Sequence, residues 1–128
     1  MKIVGTIARY LLGLIFLFFG SNLLFHFLPN PPMPTGVAGQ FTVALFAAHY
    51  FYVVGAIMVL AAILLLVNRF VGLGLTLLGP VLFNILTYHL LMDPGGIGLG
   101  GFATVLWLLV GWEHRVVFRR LFAARLEE

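Results

Sequence analysis

Four apolar runs of roughly bilayer-crossing length fill most of the chain, and the basic residues gather in alternate gaps around them. The runs cover residues 10–28, 40–67, 70–92 and 97–112. A hydrocarbon core about 30 Å thick takes about 20 helical residues at a rise of about 1.5 Å each. A chain of 128 residues therefore has room for four crossings and short connections. A water-soluble fold is excluded by composition: 62% of residues are hydrophobic, 9% are charged and the mean hydropathy is +1.14, which leaves too little polar surface to enclose a core. The expected structure is all-α, a single transmembrane domain over 1–128 in the form of an integral membrane four-helix bundle. Its helices are expected at about 3–28, 40–67, 70–92 and 97–118, with an amphipathic tail to 128.

The gaps between the runs set the topology. Lys2 and Arg9 precede or open the first run, Asn68-Arg69 separates the second from the third, and Arg115, Arg119, Arg120 and Arg125 follow the fourth. The other two gaps hold Asn30-Pro31-Pro32-Met33-Pro34, too poor in backbone donors for a helix, and the turn Asp93-Pro94-Gly95-Gly96. The positive-inside bias then puts both termini and the Arg69 turn in the cytoplasm, and the proline-rich loop and the Asp93 turn outside. The net charge of +3 and pI of about 9.8 report this topology rather than a nucleic-acid partner, because the arginines flank apolar segments. Trp112 suits a headgroup-level anchor, and Glu113, His114 and the tail arginines beside Phe118 and Leu121 suit a segment lying along the headgroups. The first run imitates a signal peptide, but Phe25-His26-Phe27-Leu28-Pro29 lacks a small-residue cleavage pattern, so a retained helix is expected. The second run exceeds the span a membrane needs and must tilt or project outward.

Helix association in lipid depends on small residues that let backbones approach. Rows at heptad spacing supply them: Thr6, Gly13 and Gly20; Ala48, Gly55 and Ala62; Gly72 with Gly79; Thr104 with Gly111. Gly79-Pro80 is expected to kink the third helix, and Glu113 to pair with Arg9 or Arg69 at the inner boundary. The chain has no cysteine, which removes disulfides, thiol relays, iron–sulfur clusters and thioether-attached haem.

In order and spacing, several segments together resemble the DoxX-like family of small bacterial membrane proteins. They are residues 9–20, Arg-Tyr-Leu-Leu-Gly-Leu-Ile-Phe-Leu-Phe-Phe-Gly; Pro31-Pro32-Met33-Pro34; Asn68-Arg69-Phe70-Val71; Pro80-Val81-Leu82-Phe83-Asn84-Ile85-Leu86; and His89 followed by Asp93-Pro94-Gly95. The resemblance implies a multi-pass four-helix bundle in the bacterial cytoplasmic (inner) membrane and an association with redox enzymes, the family name deriving from a thiosulfate:quinone oxidoreductase subunit. It brings no catalytic residue. The chain departs from the family pattern where the second helix carries Glu followed by glycines, reading Met58-Val59-Leu60-Ala61-Ala62 instead. Any proton or ligand role of that Glu is absent here or has moved.

The polar groups left to carry chemistry lie towards the outer side: Asn22 and His26 in the first helix, His49 in the second, and Asn84, Tyr88 and His89 in the third. The depth of His49 has two values: roughly 13 Å inside when counted from Gln40, or at the outer surface when counted back about 30 Å from Arg69. One reading joins at least three of the six side chains in an outward-opening, Phe- and Leu-lined pocket suited to a quinone ring. The other pairs them locally across helices with no ligand. A metal or haem held by His26, His49 and His89 is disfavoured, since Asp93 is the one supporting carboxylate. Hydrolysis is disfavoured for want of a Ser-His-Asp set or paired carboxylates at membrane depth. A solute carrier is disfavoured by the absence of an ionisable residue at the bilayer centre. The function expected is that of a subunit without its own redox centre, not catalytic alone, in a complex with other membrane chains. The alternative is an assembly or scaffold subunit.

Overall fold

The computed structural model describes residues 2–29 and 32–126. Among them there are only helices, turns and irregular segments. They form α1 (Lys2–Phe25), α2 (Gly36–Ala47), α3 (Tyr50–Leu66), α4 (Val71–Leu91), a 3-10 turn (Pro94–Gly96), α5 (Ile97–Glu113) and α6 (Arg115–Leu121). Of the proline-rich loop, Asn30 and Pro31 lie outside the described residues, as do Glu127 and Glu128 of the tail.

Four of these helices pack together: α1 closely on α3 and α5, and α4 on the same two, so that α1 and α4 stand diagonally opposite. Leu12, Leu65, Leu75, Leu78 and Val110 fill the centre and are fully buried. The outward faces are no more polar than this centre, with Leu14, Val53, Phe83, Val105 and Leu108 all exposed and Phe83 70% so. In water such a surface would be an extended apolar patch, whereas against acyl chains it is the matching solvent. Three of the helices are long and apolar enough to cross a membrane, and α2 with α3 make a fourth candidate if the bent pair counts as one span.

Since polarity cannot tell inside from outside in helices of this kind, residue size does. The α1–α3 contact is the most intimate in the molecule. Gly13, Gly20, Gly55 and Ala62 are all buried in it, and a Cβ on Gly55 would stand 2.9 Å from the Gly20 carbonyl oxygen. Two members of the expected rows fall elsewhere. Thr6 is exposed, its hydroxyl donating to Lys2 O one turn back (2.9 Å), and Gly5 takes the inward position, against Glu113 of α5. Ala48 is exposed because the helix breaks beside it.

That break is the main correction to the expected fold. The run 40–67 is two helices, α2 beginning earlier at Gly36, and their axes differ by 82°. His49 sits between them in the left-handed region, at φ 57°. The surplus length is taken up in the bend: α3 alone, at about 1.5 Å per residue, reaches close to the thickness of the hydrocarbon. A straight continuation would carry Val37, Phe41 and Phe46 beyond it, and the bend brings Phe41 against Tyr88 and Phe46 against His26 at the end away from the arginines.

The fourth helix is also shorter than expected. It ends at Glu113, and after His114 a separate α6 turns back along the base. There Val117 packs on Gly72 of α4, and the Phe118 ring lies 5.5 Å from that of Trp107. Arg9 does not serve as the partner expected for Glu113. It is buried, at 7% exposure, its guanidinium donates to Leu65 O in the last turn of α3, and it lies 4.5 Å over the Tyr10 ring. Pro80 is accommodated inside a continuous α4. Across from it the indole N–H of Trp107 donates to Leu75 O (2.9 Å), and the ring lies over Gly79.

A histidine and aromatic cavity at the end away from the arginines

At the end of the molecule away from the arginines, α1 stops, α2 ends and α3 begins within one small region. α1 stops at Phe25 because His26 turns into the left-handed region, at φ 51°. The His26 N–H still donates to Asn22 O (2.8 Å), and the Asn22 side-chain oxygen accepts from the Leu28 N–H (2.9 Å). Asn22 thus closes the helix end, as a short polar side chain does where backbone groups lose their helical partners.

The left-handed turns at His26 and His49 bring both imidazoles to the rim of a cavity of about 150 Å³ lined by Leu23, His26, Phe46, His49, Phe51 and Tyr52. Tyr52 stands between the two histidines: its ring meets His26 edge-on at 5.7 Å and stacks with His49 at 5.7 Å. Phe46 tilts against His26 (6.4 Å) and against Phe51 (4.7 Å). Left-handed conformations cost a residue with a side chain about 1–2 kcal/mol, and both here fall on residues that face one cavity.

The remaining candidates do not join them. Tyr88 stacks on Phe41 of α2 (5.8 Å) and faces the Thr42 hydroxyl at 3.5 Å, long for a hydrogen bond, with His89 edge-on to it at 5.0 Å. The His89 Nδ1 lies 3.1 Å from Asp93 O and so closes the turn before α5. Asn84 donates to Pro80 O (2.8 Å) on its own helix. Two of the six side chains therefore share the cavity, and the expected convergence of three or more does not occur there. The reason is the diagonal placement of α1 and α4, which separates His26 from Asn84, Tyr88 and His89.

Reading the sequence did not single out Phe46, Phe51, Tyr52 or Trp107. Trp107 carried a signal, because a tryptophan inside an apolar helix needs an acceptor for its N–H, and a glycine-proline step in a facing helix supplies room for the ring. The three rings around the histidines carried none, being ordinary members of apolar runs.

Chemically, the cavity presents two imidazoles, each able to donate or accept a hydrogen bond, and a phenol, between aromatic walls. The cavity is open-sided, with His26, His49 and Tyr52 exposed, and its volume is that of one benzene-sized ring, so a single ring would fill it and leave its substituents and tail at the rim or outside. Its lining includes no carboxylate, so the two imidazoles and the phenol are the polar groups that a ligand would meet. Among the described residues, no three His, Asp or Glu side chains gather closely enough for a metal ion. Comparison with models of known protein families, with curated proteins and with solved structures finds no match for the chain.

Proposed function

We propose that the chain is a DoxX-like subunit of the bacterial cytoplasmic membrane, a four-helix bundle with both termini inside. In this reading it holds the ring of a quinone-like amphipathic molecule at its outer end, in support of a redox complex whose catalytic centres lie on other chains. The observation that carries the ligand is the juxtaposition of His26 and His49 around one ring-sized, aromatic-walled cavity. Imidazole N–H groups suit the carbonyl oxygens of a quinone, Phe46 and Phe51 suit its faces, and the exposed apolar surface of the helices suits its tail. The resemblance in order and spacing of the segments around Arg9, Pro31, Asn68 and Pro80 supports the redox association.

The test is thermal unfolding of the purified chain titrated with a short-chain ubiquinone and, as control, its tail alone. A ligand at a hundred times its Kd stabilises by about 2.7 kcal/mol, so a quinone-dependent rise in Tm is expected, abolished in His26→Ala/His49→Ala. An unchanged Tm in the parent, or an equal rise in the double variant, rejects the ligand. The second reading, an assembly subunit without a ligand, is favoured by the local satisfaction of Asn22, Asn84 and His89, and it stands if the quinone has no effect.

A further inference from the structure

The opposite end of the molecule is built from three separate stretches of chain. Gly5 abuts Glu113, Arg9 bonds to the end of α3, and Val117 sits on Gly72, so the start of α1, the turn before α4, and the end of α5 with α6 share one base. All seven basic residues belong to these stretches or to the tail that follows α6 in sequence, and among the described residues Glu113 is the one acidic side chain there, since Asp93 is at the far end. Lys2, Arg69, Arg115, Arg119 and Arg120 are exposed there.

The helix α6 gives this base its depth. One side is held to the bundle by Val117 and Phe118. Of the rest, Val116 (58%), Leu121 (59%) and Phe122 (86%) are exposed among Arg115, Arg119 and Arg120. Apolar and cationic side chains so interleaved suit neither bulk water nor the acyl interior, but they suit the boundary where chains meet headgroups. Arg115, bonded to Trp112 O (2.9 Å) and 5.0 Å over its ring, ties the same level to an interfacial tryptophan.

We propose that this base is a recognition surface for anionic phospholipid, with α6 as a fixed bracket that presents Arg119 and Arg120 to the headgroup phosphates. Charge complementarity selects the occupant: a basic face whose apolar residues insert beside it matches a lipid that is anionic above and apolar below. The inference is independent of which side of the membrane the base faces and of any ligand at the outer end.

The test incorporates the full chain into nanodiscs of equimolar phosphatidylglycerol and phosphatidylcholine, extracts it gently, and measures the two lipids that remain bound. Phosphatidylglycerol is expected to be enriched, and the enrichment to fall about five-fold for each arginine removed in Arg119→Gln and Arg120→Gln, and further with added salt. Equal retention of both lipids overturns the proposal, as does enrichment unchanged in the double variant. Displacement of the phosphatidylglycerol by inorganic phosphate at constant ionic strength also overturns it, since that would mark a phosphate site rather than a lipid surface. Incorporation into the disc is scored separately and reads membrane embedding alone.

Discussion

At the scale of single residues, the interior depends on a few atoms placed where neither bulk nor polarity could be altered freely. Among the described residues Arg9 is the one charged side chain in the core, and its guanidinium adds a charged donor to the carbonyl end of α3, where the helix dipole is negative. A hydrogen bond of this kind contributes about 1.5–3 kcal/mol. Arg9→Leu is expected to lose about that much in denaturant unfolding in micelles, and Arg9→Lys less, since a lysine keeps the charge but not the fork. Equal losses in both would mean that packing, not the bond to Leu65, accounts for the arginine. The glycines separate by what faces them. A Cβ on Gly55 would meet the Gly20 carbonyl at 2.9 Å, which is backbone, whereas on Gly13 it would meet the movable end of Leu66 at 2.8 Å. Gly55→Ala is therefore expected to cost more than Gly13→Ala, and Gly55→Leu about 1–3 kcal/mol. Leu60→Ala, at an exposed position, should be mild by comparison in the same assay.

At the scale of elements, the existence of each long helix was legible from apolar length alone, and the contact faces of α1 and α3, though not their pairing, from the heptad recurrence of Gly13 and Gly20 and of Gly55 and Ala62. The break at Ala48-His49 was not, because helix breaks are usually marked by glycine or proline, and here a histidine takes the left-handed conformation among residues that all favour continuation. The one sequence clue was length: counting back from Arg69 put His49 at the far end of a membrane-length helix, and the structure has it at the end away from the arginines. The candidate site was half legible for the same reason. Polar residues mark themselves within apolar runs, but which of them meet depends on helix order around the bundle, and the sequence does not encode that in spacing. The break makes its own prediction. His49→Gly relieves the left-handed strain at the cost of a looser unfolded chain, and its stability should stay within about 1 kcal/mol of the parent. His49→Val, β-branched at positive φ, should lose clearly more in the same unfolding measurement. If the imidazole holds a ring as proposed, His49→Gly also loses the quinone-dependent rise in Tm while remaining folded. Equal stability of the glycine and valine variants would contradict the turn geometry at this position.

At the scale of the whole molecule, the chain is polarised end to end, with the arginines at the base and His26, His49, His89 and Asp93 at the opposite end. The polarity follows from antiparallel packing: α1 runs away from the base, α3 returns to it beside Arg9, α4 leaves beside Val117 and α5 returns to Gly5. This arrangement fixes which residues lie at opposite ends, but the membrane decides which end is inside. The proposed orientation, with the arginine end in the cytoplasm, rests on the positive-inside bias, and the chain is well suited to testing it because it has no cysteine of its own. Thr35, before α2, and Ala124, after α6, are both exposed and lie at opposite ends. With single cysteines at these positions, a membrane-impermeant maleimide is expected to label Thr35→Cys in intact cells and Ala124→Cys only after permeabilisation. The reverse pattern would keep the fold and invert its orientation. Labelling of both in intact cells would instead contradict the end-to-end separation, because two sites at opposite ends of a membrane-spanning bundle cannot both face the outside.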